Sequence, residues 1–258
     1  MPNATGHQDA ARSVVFAPLD GTGRAELVEQ RLTDAIVSGV LRDGERLPSE
    51  SELSRSLGVA LVTAREALEG MRERGLVRTR RGRDGGSFVT YDRDAAARLL
   101  ETRVRGHSRI ELRDLALHVS AIAGTAAEIA ADRASHDDVE MLLAIHDGAD
   151  LSTAGGARRA LGRFQLEVAA ISQSPRLVRE EVRLQSEAGP LLWLCLREQE
   201  YRDLSAASRT RVIDAIRAVD PVAARSATNA QATAALDWLV DEKVRLEASA
   251  HLTGQGLR

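Results

Sequence analysis

Basic side chains that could neutralise nucleic-acid phosphates are concentrated in one short stretch of the chain, residues 61–83. This stretch contains seven arginines and three glutamates. Its arginines are Arg65, Arg72, Arg74, Arg78, Arg80, Arg81 and Arg83. Because the last four follow one another without an intervening acidic residue, contact with phosphates or with a minor groove is favoured over a merely solvated run of charge.

Histidine and cysteine, the usual ligands of zinc, are not arranged for metal binding or catalysis. The chain has one cysteine, Cys195, and six histidines, none of which forms an H-E-x-x-H pattern or pairs with carboxylates at ligand spacing. The sequence also lacks a nucleophile elbow, a phosphate-binding loop and a glycine-rich nucleotide-binding pattern. These absences argue against an enzyme, and we expect no cofactor.

Overall charge and hydropathy are those of an ordinary globular protein. The formal net charge is -3 and 28% of the residues are charged, so any nucleic-acid site must be local. A single cysteine cannot form a disulfide within the chain, which is consistent with a protein of a reducing compartment. No apolar run approaches the length of a membrane span, so we expect a cytoplasmic protein without membrane contact.

The elements that must position the arginines begin with three predicted helices. Apolar residues at helical spacing predict a first helix from residue 24 to a stop signal at Gly39. Ser49 and Glu52 form a capping box for a short second helix. A buried apolar stripe then predicts a third helix over about residues 61–74.

Strand-like alternation replaces the helical period after Gly75. Residues 76–80 and 87–90 alternate on either side of a glycine-rich tip, which predicts a β-hairpin. Three helices followed by a hairpin are the parts of a winged helix-turn-helix, in which the third helix enters the major groove of DNA.

The rest of the chain predicts helices alone, with a bend expected at Gly124 and a kink at Gly189-Pro190. The predicted helices cover about 94–104, 108–134, 136–149, 154–172, 175–200, 204–218 and 221–250. We therefore expect a mainly α fold that combines an N-terminal winged helix-turn-helix with a C-terminal all-α helical bundle. The expected divisions are a flexible arm over 1–23, the winged domain over 24–92, the bundle over 93–251 and a tail over 252–258.

Many separate positions between residues 24 and 90 agree with one family pattern. They are Leu27 to Gln30, Ile36 to Gly39, Leu47 to Glu50, Glu52-Leu53, Leu57 to Val59, Arg65 to Leu68, Gly75 to Val77 and Arg81-Gly82. Over this stretch the chain resembles the GntR family of bacterial regulators. The resemblance implies a homodimer that binds double-stranded operator DNA and regulates transcription.

The resemblance and the basic hairpin together predict nine DNA-binding positions. They are Ser49, Ser51, Leu61, Thr63, Arg65, Arg80, Arg81, Gly82 and Arg83. Arg65 and Thr63 keep the residue types of the family, and Arg65 can bond guanine O6 and N7 or a phosphate, or remain a solvated helix charge.

Three of the family's contact positions differ in this sequence, so operator preference should differ as well. Ser51 stands where the family has an arginine, and Ala60-Leu61 replaces a pair of Ser or Thr and Arg. Leu61 lies at the edge of the apolar stripe. It either packs locally or contacts a thymine methyl group.

The C-terminal part, about residues 95–250, resembles the helical effector domain of the FadR subfamily, called an FCD domain. The matching positions are Ala126-Ala127, Ala130-Ala131, Arg133-Ala134, Arg163-Phe164, Ser174 to Leu177, Ala215-Ile216, Asp220 and Ala223-Ala224. In that family an aspartate and three histidines commonly hold a metal in the effector pocket. The corresponding positions here are Leu161, Gln165, Arg209 and Gln231, so we predict a pocket without a metal.

The same resemblance predicts the chemistry of the effector. An inward-facing Arg209 would favour a carboxylate-bearing molecule, with Gln165 and Gln231 as neutral partners and Leu161 as part of an apolar wall. Alternatively, Arg209 extends to solvent and side chains fill the cavity. His118 is the one histidine that we expect to line the pocket, unless it is an ordinary helix histidine.

The implied mechanism is a population shift, in which a small-molecule effector changes the spacing of two recognition helices in a dimer. Two alternatives come from other classes. The first is a DNA-bound or partner-bound module that has lost ligand sensing, because the family's ligand positions are substituted. The second is an enzyme built on the helical domain, which the missing catalytic motifs disfavour.

Overall fold

The computed structural model of the chain describes residue 16 and residues 24–37, 40–82, 85–90 and 101–255. The chain divides into two compact units, residues 1–98 and residues 99–258. Six expectations lie wholly or partly outside the described residues: the arm over 1–23 apart from Phe16, the stop signal at Gly39, Arg83, the domain boundary at 92/93, the first part of the helix over 94–104, and the end of the tail.

The described residues of the first unit form three helices and an antiparallel hairpin, in the order that the sequence predicts. The helices are α1 (Arg24–Val37), α2 (Glu50–Leu57) and α3 (Leu61–Glu73). The strands are β1 (Val77–Arg80) and β2 (Gly86–Val89), paired so that Val77 lies opposite Val89 and Arg80 opposite Gly86. This arrangement confirms the winged helix-turn-helix.

Local hydrogen bonds start α2 where the capping box predicts. The Ser49 hydroxyl accepts from the backbone N–H of Glu52 at 3.3 Å, and the Glu52 carboxylate accepts from the backbone N–H of Ser49 at 2.8 Å. The Ser49 hydroxyl also donates to that carboxylate at 2.7 Å. These bonds lower the pKa of the Glu52 carboxyl below its usual value.

The apolar stripes of the three helices meet in one core, which turns the opposite side of α3 outward. Helix α3 packs against both α1 and α2. The buried side chains are Val28, Leu32, Ile36, Leu53, Leu57, Ala64, Leu68 and Met71. Apart from the smaller Ala64, each of these side chains contributes about 1.5–3 kcal/mol when it is fully removed from water, so the orientation of α3 is strongly determined.

The second unit is helical throughout its described residues, which confirms the predicted bundle. Residues 101–106 are helical, and a short 3-10 helix covers Trp193–Arg197. The helices are α4 (Arg109–Arg133), α5 (His136–Asp147), α6 (Ala154–Ile171), α7 (Pro175–Glu187), α8 (Gly189–Leu192), α9 (Gln199–Arg217) and α10 (Pro221–Gln255). No described helix is both long and apolar enough to cross a membrane.

The helix predicted over 175–200 with a kink at Gly189-Pro190 is interrupted there rather than kinked. Helix α7 ends at Glu187, and Gly189-Pro190 begins a one-turn helix that leads into the 3-10 turn. Proline cannot donate the backbone hydrogen bond that a continuous helix needs at that position. The compact turn also buries six consecutive side chains, residues 191–196, which a straight amphipathic helix cannot do. Helix α9 consequently begins at Gln199, five residues before the predicted start.

Close packing of α4 against α10 forms the centre of the second unit. Helix α4 runs through Gly124 without interruption, and a Cβ at this position would collide with the Asn229 side chain on α10.

The chain's single lysine, Lys243 on α10, is buried. It donates to the carbonyls of Val104 at 3.4 Å and Arg105 at 3.1 Å and pairs with Glu247 at 2.9 Å. Helix α10 therefore holds the end of the helix that precedes α4.

Candidate nucleic-acid interface and ligand site

The outward face of α3 combines apolar and basic side chains. Leu61 is 44% exposed and Val62 is 57% exposed on the first turn, and Arg65 is exposed on the next. Thr63 is half-buried on the same turn. The exposure of Leu61 disfavours the alternative in which it packs into the local core.

Arg65 is oriented by a carboxylate of the preceding helix. Its Nε donates to Glu50 Oε2 at 3.0 Å, and the two side chains are 59% and 33% exposed. An ion pair this exposed contributes little to stability. Its effect is geometric, because it holds Nε and leaves both terminal nitrogens of the guanidinium free of partners among the described residues. A guanine offers O6 and N7 to such a pair of donors.

The two serines at the start of α2 have different surroundings. The Ser49 hydroxyl is engaged with Glu52 in the cap, so it can contact a phosphate only as an additional partner. Ser51 is exposed on the first turn of α2. Whether either serine touches DNA stays a prediction.

The hairpin presents Arg80, Arg81 and Gly82 to solvent. The Arg80 guanidinium lies over the Phe88 ring, 4.6 Å from its centroid, which restricts its direction. Gly82 has a φ of 111°, a conformation that residues with a Cβ rarely adopt. Arg72 on α3 donates to the Thr79 hydroxyl at 3.2 Å and so joins the recognition helix to β1.

Arg46 is a further basic residue of this surface, and sequence analysis missed it. It forms an isolated antiparallel bridge with Phe88, and a Cβ at Gly86 would lie 2.9 Å from its Nε. Arg46 therefore lies against the base of the hairpin. Only long-range pairing places it there, so no local pattern could have signalled it.

A second candidate site lies inside the helical unit, around Arg209. This residue is only 1% exposed on α9, and its Nη1 donates to the Ser205 hydroxyl at 3.2 Å. Its Nε and Nη2 are buried and have no hydrogen-bond partner among the described residues. Burial lowers the pKa of Arg209 to about 10, which still leaves it cationic at neutral pH. The alternative in which Arg209 extends to solvent is wrong.

The Ser205 hydroxyl joins Arg209 to the next helix. Gln231 Nε2 on α10 donates to the same oxygen at 2.8 Å. Ser205 thus accepts two hydrogen bonds, and its own proton has no acceptor among the described residues. The structure brings together two of the predicted effector residues, Arg209 and Gln231, through a serine that the sequence did not indicate.

Buried polar atoms without partners also occur on two helices of the same unit. Gln165 lies on α6, which packs against α9, and its Oε1 is buried without a partner among the described residues. His146 Nδ1 on α5 is likewise unpartnered, and its Nε2 lies 3.4 Å from the Thr210 hydroxyl. Burial and the nearby charge of Arg209 lower the pKa of His146, which favours the neutral imidazole.

A cavity of about 220 Å³ lies between the 3-10 turn, α9 and α10. Ser205 and Gln231 form part of its polar lining, and Trp193, Tyr201 and Leu204 form part of its apolar lining. The hydrogen-bonded bridge next to Arg209 therefore borders a space with aromatic walls.

Two of the predicted effector positions lie elsewhere. Leu161 is fully buried in a cluster with Leu184, Leu192 and Trp193, so it packs behind the cavity rather than lining it. His118 is on the exposed side of α4, 47% exposed and 3.3 Å from Glu180. The expectation that His118 lines the pocket is wrong, because the neighbouring Val119 occupies the inward face of the helix.

The donors around Arg209 do not suit a metal ion. A buried guanidinium repels a cation, and the amide oxygens of Gln165 and Gln231 are weak ligands beside the imidazoles that they replace. The described residues also contain no group of three or more His, Cys, Asp or Glu that could hold a metal. This site therefore suits an anion.

Comparison with known proteins identifies relatives for both units. The model of bacterial regulatory proteins of the gntR family matches residues 24–89, and that of the FCD domain matches residues 114–233. The HTH-type transcriptional regulator RmpR of Mycobacterium gastri is 34% identical over 238 residues, 91% of this chain and 87% of that protein. The HTH-type transcriptional repressor NanR of Cronobacter sakazakii is 27% identical over 226 residues, 81% of this chain and 83% of that protein. The Glc operon transcriptional activator of Escherichia coli K12 is 41% identical over 59 residues, 23% of each chain.

We predict that Arg65→Ala weakens binding to operator DNA by about 1–3 kcal/mol and relaxes base preference at one position, because a base contact is lost. Binding to the operator and to single-base variants can be measured by fluorescence anisotropy. Arg217→Ala, which removes an exposed arginine paired with Asp214, is the control for net charge. Equal affinity for wild type and Arg65→Ala would refute the role of Arg65.

We also predict that the purified protein carries no stoichiometric transition metal. The measurement is elemental analysis of protein prepared without a chelator or a metal-affinity tag. Near-stoichiometric zinc, nickel or manganese that disappears together with ligand response in Gln165→Ala would contradict the metal-free site.

Proposed function

Because this chain belongs to the GntR family of bacterial transcriptional regulators, we propose that an anionic small molecule bound at Arg209 controls its affinity for operator DNA. The chain is a DNA-binding regulator and not an enzyme, as its family and its relatives indicate. Its action on DNA supports a cytoplasmic location. The relatives include an activator and a repressor, so the direction of control stays open.

One observation carries the proposal: the Arg209 cation is buried with two unpartnered donors. Removing a guanidinium from water costs several kcal/mol unless a counter-charge and hydrogen bonds replace the lost hydration. The Ser205 hydroxyl supplies one neutral partner. A bound anion would supply the missing charge, which supports retained sensing over a module that no longer binds ligand.

The positions of the free donors favour a carboxylate. Nε and Nη2 lie on the same edge of the guanidinium plane, and this edge can hold both oxygens of a carboxylate through two parallel hydrogen bonds. A carboxylate at this edge would therefore satisfy both unpartnered donors together.

The surroundings favour an effector that is partly apolar. The cavity beside Ser205 and Gln231 has aromatic walls at Trp193 and Tyr201 and room for a small organic group. On α6, Gln165 Oε1 could accept a hydrogen bond from a hydroxyl or amino group of the ligand. These features together support a carboxylate that bears an apolar group and a hydrogen-bond donor.

A ligand at Arg209 would lie next to the bridge between α9 and α10. Ser205 accepts from Arg209 on α9 and from Gln231 on α10, so a carboxylate that draws the guanidinium toward itself would weaken the bond to Ser205 and alter this bridge. Gln231 and Lys243 lie on the same helix, about 18 Å apart at 1.5 Å per residue. Movement of α10 would shift Lys243 and the helix end at Val104 and Arg105 that it holds. A ligand that prefers one arrangement shifts the population toward it.

The effector is tested by thermal unfolding with mandelate, salicylate and octanoate, each compared with its amide. We expect at least one carboxylate, and no amide, to raise the Tm by roughly 5–10 °C at a hundredfold excess over Kd and to change operator affinity. Arg209→Met should abolish the shift without lowering the Tm of the free protein, because it removes an unbalanced buried charge. The exposed Arg217→Met on the same helix should retain the shift.

Two results would contradict the effector proposal. One is a carboxylate response that survives in Arg209→Met. The other is a wild-type protein whose Tm none of the carboxylates changes.

We further propose that the protein binds DNA as a homodimer on a pseudo-palindromic operator. Each chain carries one recognition helix, α3, so two half-sites need two chains. Footprinting on the DNA upstream of its own gene should show two-fold symmetric protection, and analytical ultracentrifugation of the complex should give two chains per duplex. Saturation of a single half-site by one chain would overturn this proposal.

A further inference from the structure

Exposed aliphatic side chains occur at one end of the recognition helix. Leu61 and Val62, the first two residues of α3, are 44% and 57% exposed. The apolar residues farther along the helix, Ala64, Ala67, Leu68 and Met71, are all buried. The core of the first unit therefore does not account for Leu61 and Val62.

We infer that Leu61 and Val62 read the C5-methyl groups of thymines in the major groove of the operator. The inference rests on the proposed function, since it assumes that α3 enters this groove. The thymine methyl is the apolar group that the major groove of unmodified DNA displays, beside the hydrogen-bonding base edges. Neither Leu61 nor Val62 can form a side-chain hydrogen bond, so a methyl group is the complementary partner.

The charges around the two side chains support DNA as the occupant of this surface. Arg65 lies one helical turn beyond Leu61, and Arg80 and Arg81 extend from the hairpin whose first strand Arg72 joins to α3. A phosphate backbone would neutralise these arginines. An apolar protein partner would instead leave them desolvated and unpaired, which is costly.

The helix geometry also specifies where the thymines should lie. Leu61 and Arg65 are four residues apart and therefore share one side of α3. Their separation along the axis is about 6 Å, which corresponds to about two base pairs at 3.4 Å each. We therefore expect a thymine within about two base pairs of the guanine that Arg65 contacts.

Selectivity would come from the methyl contact. Each methyl group that loses water against an aliphatic side chain contributes about fourfold in affinity. A cytosine at the same position has no C5-methyl group and so loses this contact. The aliphatic pair thus favours T·A and disfavours C·G.

The test removes the methyl groups from the DNA and leaves the protein unchanged. In the footprinted operator, each thymine is replaced singly by deoxyuridine, which keeps the same base pair, and Kd is measured by fluorescence anisotropy at fixed salt. We expect one or two positions per half-site to weaken wild-type binding about fourfold each. The dependence of Kd on salt should stay the same, because no phosphate contact is lost.

A set of variants assigns the effect to the two side chains. In Leu61→Ala and Val62→Ala the sensitivity to deoxyuridine should disappear at the matching position, whereas Val222→Ala, an exposed valine on α10, should retain it. Wild-type binding that is insensitive to deoxyuridine at every thymine would overturn the inference and leave the proposed function standing. Failure to bind any upstream duplex would overturn both.

Discussion

A buried guanidinium with too few partners is the constraint around which the helical unit is organised. Arg209 is enclosed where α9 meets α10, and the Ser205 hydroxyl is its hydrogen-bond partner among the described residues. The same hydroxyl accepts a hydrogen bond from Gln231, so the atom that binds the uncompensated Arg209 cation also links α9 to α10. A site that lacks a negative charge and also connects two helices has the properties of a ligand-controlled switch.

A second buried arginine, Arg158, also has an unpartnered Nε among the described residues, but it lies near a carboxylate and Arg209 does not. Arg158 on α6 donates to the carbonyl of Gln185 at 3.0 Å, and the charge of Glu181 opposes the effect of burial, which lowers the pKa of Arg158 to about 10. Gln185 in turn donates to Glu181 at 3.1 Å and to the carbonyl of Gly162 at 2.7 Å. This network ties α6 to α7 with a carboxylate present. The contrast supports a structural role for Arg158 and a ligand-binding role for Arg209.

The exposed face of α3 presents two kinds of side chain at different positions along the helix, one apolar and one hydrogen-bonding. Leu61 and Val62 present only apolar surface, whereas Arg65 presents donors whose direction Glu50 sets. Hydrogen bonds reward a correct base and penalise an unpaired one, while methyl contacts add affinity with little directional demand. A recognition helix that combines the two can prefer a sequence different from that of regulators with polar residues at these positions.

Residues close together in the sequence determined the elements, because caps, turns and periodicity act over a few positions. The Ser49–Glu52 box, the prolines that begin α7 and α10 and the alternation around the hairpin all predicted their structures correctly. The family pattern also pointed to Arg209 and Gln231. The tertiary structure decided what those side chains meet. It placed Arg46 under the hairpin, exposed His118 and buried Leu161 behind the cavity. Each of these outcomes depends on partners distant in the chain, and burial, charge balance and hydrogen-bond satisfaction are properties of that assembled environment.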